Sequence, residues 1–248
     1  MGKLIAFIGP SGCGKTSVAM KAAIETYCNT KSNRILFLSP DLAVPSAGLI
    51  FPDYSPDDLK SLGQVFDTTD ITFETVLENV ITVRAMNDFG FLGFKSGENK
   101  YSFPSPIPEK LTDLFSVMTR NTSYVFADCT CDGLDAISER ALLDADIIVR
   151  IIPADLKGMT WFPTNKNLHH SDKVRFVNIV NVQGKDLFYP IDDTCTNVGD
   201  VTTVLPYSKA LAQQMLAGRL YERLKDSGYN RKLKELVNII MNEEEKTK

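Results

Sequence analysis

The chain has 248 residues, of which 44% are hydrophobic and 23% charged, and its formal net charge is -4 at pH 7. This composition is typical of a globular protein with a sizeable core, and the acidic balance gives no general attraction to nucleic acid. No apolar run approaches the ~20 residues that a membrane span requires. The five cysteines are an odd number, which favours free thiols, and with a strand-like start and no signal peptide we expect a cytoplasmic protein.

The first predicted elements are a buried strand at residues 4–8 and a helix at 15–27. Between them, residues 9–16 read GPSGCGKT and fit the phosphate-loop pattern G-x-x-x-x-G-K-[ST]. In such a loop, backbone N–H groups and the positive end of the helix face a phosphate; Lys15 reaches the β- and γ-phosphates, and the Thr16 hydroxyl ligates Mg2+. The sequence therefore predicts binding of a nucleoside triphosphate. The predicted phosphate-binding residues are Ser11, Gly12, Cys13, Gly14, Lys15, Thr16 and Ser17.

Farther along the chain, apolar strand-like runs alternate with helical stretches. Strands are predicted at 35–38, 89–94, 124–127, 146–152 and 174–182, and helices at 57–66, 73–83, 108–120, 136–145 and 208–227. This alternation indicates βαβ units. The stretch 95–108, which contains three prolines, predicts a loop rather than a domain boundary. We therefore predict one α/β domain over 1–248, with a doubly wound, mostly parallel sheet and helices on both faces.

Two aspartates lie at or just after the ends of predicted strands. Asp128 directly follows the apolar run 124–127, and Asp41 lies shortly after the run 35–38. Ligands of open α/β sheets collect at the carboxyl ends of the strands, so either carboxylate could act near a bound Mg2+. Either one alone could also be an ordinary turn residue.

Three stretches, with the phosphate loop, resemble the ParA/MinD group of P-loop ATPases. They are YVFADCTCDGLDAISERALLDADIIVRIIPADLKGM at 124–159, VNIVNVQGK at 177–185, and VTTVLPYSKALAQQMLAGRL at 201–220. The resemblance covers the whole chain in order. It implies ATP as the nucleotide, Mg2+ held by Thr16 and Asp128, and an attacking water oriented by Asp41. It also implies that Asn181, Pro206 and Tyr207 lie on the adenine side.

The loop departs from this group at Pro10. Members usually carry a lysine directly after the first glycine, which reaches the partner's phosphates across a sandwich dimer. Proline has neither a charge nor an N–H group. The resemblance implies a homodimer, but the departure predicts slow hydrolysis and a weak dependence of the dimer on nucleotide. TadZ/CpaE-type relatives also have atypical loops, and a TadZ/CpaE-like or mobile-element-encoded member would fit.

The function that the resemblance implies is a Mg-ATP-dependent switch that positions or partitions a cargo through a protein partner. The cargo could be DNA, a pilus, or conjugation or division machinery. One alternative is a nearly inactive nucleotide-sensing scaffold. Another is a P-loop small-molecule kinase, which is less favoured because the loop 95–108 contains no arginine. Direct association with DNA or with a membrane is not favoured.

The C-terminal residues 228–248 predict an amphipathic helix with an acidic tail. Its apolar face consists of Leu233, Leu236, Val237, Ile240 and Met241, at helical spacing. Such a stripe packs on the protein's own core or on a partner, or lies on a membrane surface as in some ParA/MinD relatives. Because the segment has no Trp or Phe and carries three consecutive glutamates at 243–245, packing is favoured over peripheral membrane binding.

Overall fold

The computed structural model describes residues 1–30, 33–54, 60–83, 86–131, 135–167, 173–185 and 189–242. Its strands are β1 (Lys3–Ile8), β2 (Ile35–Ser39), β3 (Ile81–Thr82), β4 (Phe89–Gly93), β5 (Tyr124–Asp128), β6 (Ile147–Pro153), β7 (Arg175–Asn181) and β8 (Thr203–Leu205). Its helices are α1 (Lys15–Asn29), α2 (Ala47–Ile50), α3 (Leu62–Asp67), α4 (Phe73–Glu78), α5 (Pro108–Asn121), α6 (Ala136–Asp144), α7 (Leu156–Asn165), α8 (Ile191–Val198), α9 (Lys209–Leu216) and α10 (Ser227–Met241).

The described strands form one eight-stranded sheet in the order β3-β4-β2-β5-β1-β6-β7-β8. All pairs are parallel except β3 with β4, which is antiparallel. The predicted doubly wound, mostly parallel sheet is confirmed. The carboxyl ends of β2, β5 and β1 lie side by side, and this edge is where ligands of such sheets bind.

The core has two main layers, one on each face of the sheet. Alternate residues of β1 show the division: Ile5 and Phe7 face the layer that contains α1 and α10, whereas Leu4 and Ala6 face the layer that contains α5 and α6. Burial on both faces explains why the strands read as continuous apolar runs rather than as alternating patterns.

Two helices differ from their predicted extents. The helix predicted at 73–83 ends at Glu78, and Ile81–Thr82 instead pairs with β4, because a β-branched residue pair suits an edge strand. Of the helix predicted at 57–66, residues 57–59 lie outside the described part of the chain. The described helix begins at Leu62, where the Ser61 side chain accepts a hydrogen bond from Gly63 N.

The prediction of a single helix at 208–227 is wrong. Helix α9 ends at Leu216, and Gly218 takes a φ of 63°, a left-handed angle that ends helices readily. Helix α10 then begins after Asp226, whose carboxylate caps Tyr229 N. The sequence patterns also missed α2, α7, α8 and β8, all of which are short or contain helix-disfavouring residues.

The C-terminal helix α10 lies against α1 with its apolar stripe in the core. Leu233, Leu236, Val237 and Ile240 are buried, and Met241 packs at the edge of the same cluster. Residues 243–248 of the predicted acidic tail lie outside the described residues. Across the described chain, no helix combines the length and apolarity that a bilayer crossing needs.

Candidate nucleotide-binding site

The phosphate loop connects β1 to α1 at the carboxyl edge of the sheet. Gly14 precedes the first turn of α1 with a φ of 85°, and a Cβ there would lie 2.5 Å from the Asn181 amide nitrogen. Glycine is therefore required for both conformation and space. Its N-cap residue Gly14 offers no side-chain cap, so the backbone N–H groups of the first turn suit an anion.

Thr16 and Asp128 form the most direct polar contact of the site. Thr16 Oγ1 donates a hydrogen bond of 2.6 Å to Asp128 Oδ2. Asp128 ends β5 opposite Phe7 of the neighbouring β1, and its residue is only 4% exposed. Its other oxygen, Oδ1, is buried and has no hydrogen-bond partner among the described residues. A hydroxyl beside a carboxylate with an unpaired oxygen fits Mg2+, a hard cation that takes oxygen ligands and bound water.

The environment of Asp128 opposes its charge. Burial raises the pKa of its carboxyl to about 6, and the Asp41 carboxylate adds to the increase, while Lys15 and the Thr16 hydroxyl act in the opposite direction. A buried carboxylate with an unpaired oxygen is costly unless a cation balances it. A bound cation would therefore offset the free-energy cost of burying the Asp128 carboxylate.

Asp41 lies two residues beyond β2, beside the strand that ends in Asp128. Its Oδ1 accepts hydrogen bonds from Ala43 N at 2.9 Å and Val44 N at 2.8 Å. These bonds make a local turn that leads the chain towards α2. The carboxylate is thus held by its own loop, and it is near enough to Asp128 to raise the pKa of that residue.

A cavity of about 420 Å³ joins these groups. Its polar end contains Lys15, Thr16, Ser17, Asp41 and Asp128, all predicted from the sequence. Its walls are apolar and come from the α2 region and from the end of α9. The apolar residues that line it are Val44, Leu49, Ile50, Met215, Leu216 and Leu220. A cavity with apolar walls and a few convergent polar groups is typical of a small-ligand site.

Asn181, at the end of β7, lies against the phosphate loop. Its Nδ2 donates a hydrogen bond of 2.8 Å to Cys13 O, and the neighbouring Gln183 side chain donates to Gly12 O. Asn181 therefore uses one of its two amide hydrogens to hold the phosphate loop from below. Pro206 and Tyr207 follow β8, whose Leu205 pairs with Asn181, so they lie at the same edge of the sheet.

Cys13 is a buried residue within the phosphate loop. Burial raises the pKa of its thiol to about 11, against the opposing effect of Lys15. The side chain is therefore a neutral thiol that fills space beneath the loop. Ser11, by contrast, lies exposed at the tip.

The sequence patterns missed a second set of polar contacts on α1. Ser17, Lys21 and Glu25 are all buried, and they face residues 214–226, which comprise the last turn of α9 and the link to α10 and are called here the connector segment. Their spacing could have predicted this arrangement, because polar residues at i, i+4 and i+8 of a largely apolar helix lie on one face.

Comparison with known proteins shows which solved structures have a similar fold. No protein-family model and no curated protein matches the sequence. The fold, however, is similar to a ParA family ATPase from Chlorobium tepidum TLS, with a TM-score of 0.73, 13% identity, and 97% and 98% of the two chains covered. It is also similar to the septum site-determining protein MinD complexed with Mg-ADP from Pyrococcus horikoshii OT3, with a TM-score of 0.70, 16% identity, and 98% and 97% covered.

A third similar structure is a putative plasmid partition protein from Borrelia burgdorferi B31 bound to AMPPNP. Its TM-score is 0.70 at 16% identity, with 97% of this chain and 98% of that chain covered. The sheet, its phosphate loop and its helices thus define a P-loop α/β fold. Within that class, the chain has the fold of the ParA and MinD proteins, as its sequence resemblance predicted.

Proposed function

We propose that the protein is a ParA/MinD-type switch ATPase that binds Mg-ATP, hydrolyses it slowly, and positions or partitions a cargo through a protein partner. The observation that carries this proposal is the Thr16–Asp128 hydrogen bond beside the phosphate loop, with Asp128 Oδ1 left without a partner among the residues that the structure describes. This donor set is the one through which P-loop proteins hold Mg2+.

Each residue has a definite role in the proposal. The loop backbone and the first turn of α1 bind the phosphates, and Lys15 supplies the cation that faces them. Thr16 and Asp128 would hold Mg2+, whose charge would balance the negative charge that develops on the phosphates. Asp41 would orient the attacking water and accept a hydrogen bond from it.

Similar structures support the nucleotide part of this proposal. One is a MinD protein complexed with Mg-ADP, and another is a plasmid partition protein bound to AMPPNP. Their names, septum site determination and plasmid partition, support the positioning of a cargo as the role that this fold serves.

Pro10 favours a second candidate, the nucleotide-sensing scaffold. Because a proline cannot carry charge to a partner's phosphates, hydrolysis could be lost while nucleotide binding alone sets the conformation. The two candidates share the binding site and differ only in turnover.

The first test is equilibrium binding of a fluorescent ATP analogue with Mg2+ and with EDTA. Lys15→Ala should abolish binding, because the phosphates lose the side-chain cation of the loop, and EDTA should weaken binding to the parent protein. Lys232→Ala is the matched control, since that lysine lies on α10 and pairs with Glu235. Equal affinity for Lys15→Ala and the parent protein would refute the proposed site.

A further inference from the structure

Three buried polar residues form a line along one face of α1. Ser17 Oγ donates a hydrogen bond of 2.9 Å to Met215 Sδ. One turn on, Lys21 reaches the connector segment, and a further turn on, Glu25 lies 3.5 Å from the guanidinium of Arg223. The helix that begins at the phosphate loop is thus joined to the connector segment at three successive turns.

Lys21 makes the central and most extensive of these contacts. Its Nζ donates to Gln214 Oε1 at 2.7 Å, Leu220 O at 2.7 Å and Glu222 O at 2.6 Å. All three ammonium hydrogens therefore have acceptors. Two acceptors are backbone carbonyls in a stretch without a regular helix or strand, so these bonds fix where that stretch lies.

The position of Lys21 is costly for a cation. The residue is 2% exposed, and the nearby Glu222 carboxylate bonds to Arg219 instead. Burial accordingly lowers the pKa of the ammonium to about 7, with Glu222 opposing the shift. An apolar side chain could fill the same space without the desolvation cost, so the contribution of the ammonium lies in holding particular acceptors.

The segment that Lys21 holds is also a wall of the nucleotide cavity. Met215, Leu216 and Leu220 line that cavity opposite the α2 region. Met215 meets Ser17, which directly follows Thr16 in the first turn of α1. A shift of the connector segment would therefore change both the cavity wall and a contact beside the phosphate loop.

We propose that Lys21 is a positioning residue that fixes the connector segment as a wall of the nucleotide cavity, and so couples nucleotide occupancy to the order of that segment. The inference rests on the proposed binding of Mg-ATP. It adds that this binding would affect the position of the surface residues at the end of α9. Lys21 acts through the connector segment and does not itself contact the reacting atoms.

The test compares Lys21→Met with the parent protein by hydrogen exchange and by nucleotide affinity. Met keeps an unbranched apolar chain but removes all three donors. In the parent protein, Mg-ATP should slow amide exchange across residues 214–226 by roughly 10-fold, equivalent to about 1.4 kcal/mol. Lys21→Met should lose this protection and bind Mg-ATP roughly 10-fold more weakly. Lys232→Met, the same change on α10, should match the parent protein in both readouts.

A second variant covers the case in which Lys21→Met does not fold. Gln214→Ala removes one of the three acceptors of Lys21, together with the longer bond from Gln214 Nε2 to Arg223 O, and we expect a smaller loss of affinity and of protection, about 3-fold. Parent-like affinity and parent-like protection in a folded Lys21→Met, or in Gln214→Ala if the first variant does not fold, would overturn the inference.

The two proposals fail in different ways. If the parent protein binds no Mg-ATP, the proposed function fails, and exchange without nucleotide then decides the role of Lys21. In that case Lys21→Met, or Gln214→Ala, should speed exchange at residues 214–226 relative to α5. Unchanged exchange there would overturn the positioning role on its own.

Discussion

At the scale of single residues, the two carboxylates at the carboxyl ends of the neighbouring strands β2 and β5 have opposite environments. Asp128 is buried, and one of its oxygens has no hydrogen-bond partner in the described part of the chain, whereas Asp41 is partly exposed and fixed by its own turn. Asp128 suits a cation ligand, because a bound cation would offset the free-energy cost of burying its charge. Asp41 suits a group that contacts water. The proposed roles follow from this difference.

Replacing Asp41 by Asn tests its role in orienting water. Asn keeps an Oδ1 that can accept from Ala43 N and Val44 N, so the turn should persist. We expect ATP affinity to change less than about 3-fold and hydrolysis to fall by about 100-fold, the lower end of general-base effects. Single-turnover phosphate release and nucleotide titration measure the two quantities. Hydrolysis at the parent rate would refute the assignment of Asp41.

Replacing Asp128 by Asn should stabilise the nucleotide-free protein. Its pKa is about 6 in the fold and 3.8 in a model peptide, so between these values the folded protein binds a proton that the unfolded chain has released. The loss of folding free energy that ionised Asp128 causes in the parent protein therefore grows as pH rises through that window. It is complete at pH 7.5, at about 1–3 kcal/mol. Urea unfolding at pH 7.5 without Mg2+ should show this gain, and added Mg-ATP should stabilise the variant less than the parent. A less stable variant would contradict the account of Asp128.

At the scale of elements, local sequence patterns predicted those strands and loops whose structure is determined by neighbouring residues. The buried strands and the phosphate loop could be predicted because apolar runs and glycine positions mark them directly. The break between α9 and α10 could not, since it depends on one left-handed residue, Gly218, inside a helix-like composition. The contacts of Lys21 join residues 193 to 201 positions apart, and no local pattern contains them.

Helix α10 yields a prediction about stability. Leu236 is fully buried against the layer that holds α1, so Leu236→Ala should lower the free energy of unfolding by about 3 kcal/mol through lost burial and a cavity. Asn238→Ala, an exposed position on the same helix, should change it by less than about 0.5 kcal/mol. Urea unfolding compares the two. Equal, small losses would show that the apolar stripe is not buried in solution and would reopen the membrane-surface alternative.

At the scale of the whole molecule, the sequence resemblance predicts a homodimer whose face lies at the nucleotide edge. Pro10 removes the lysine that would link each subunit to its partner's phosphates. Sedimentation of Asp41→Asn with and without Mg-ATP should therefore show a shift in the dimer dissociation constant of less than about 10-fold. A larger shift would mean that another cation has replaced the lysine, and loss of that shift in Lys157→Ala would identify it.

We propose that this fold and site turn over ATP rather than only bind it. Steady-state phosphate release at saturating Mg-ATP, measured beside Lys15→Ala, tests this most directly. We expect release beyond one phosphate per chain at a rate well below ~1 s⁻¹, the low end of ordinary enzyme turnover, and no release above background from Lys15→Ala. A parent protein that binds Mg-ATP but releases no more phosphate than Lys15→Ala would contradict the claim and leave the nucleotide-sensing scaffold.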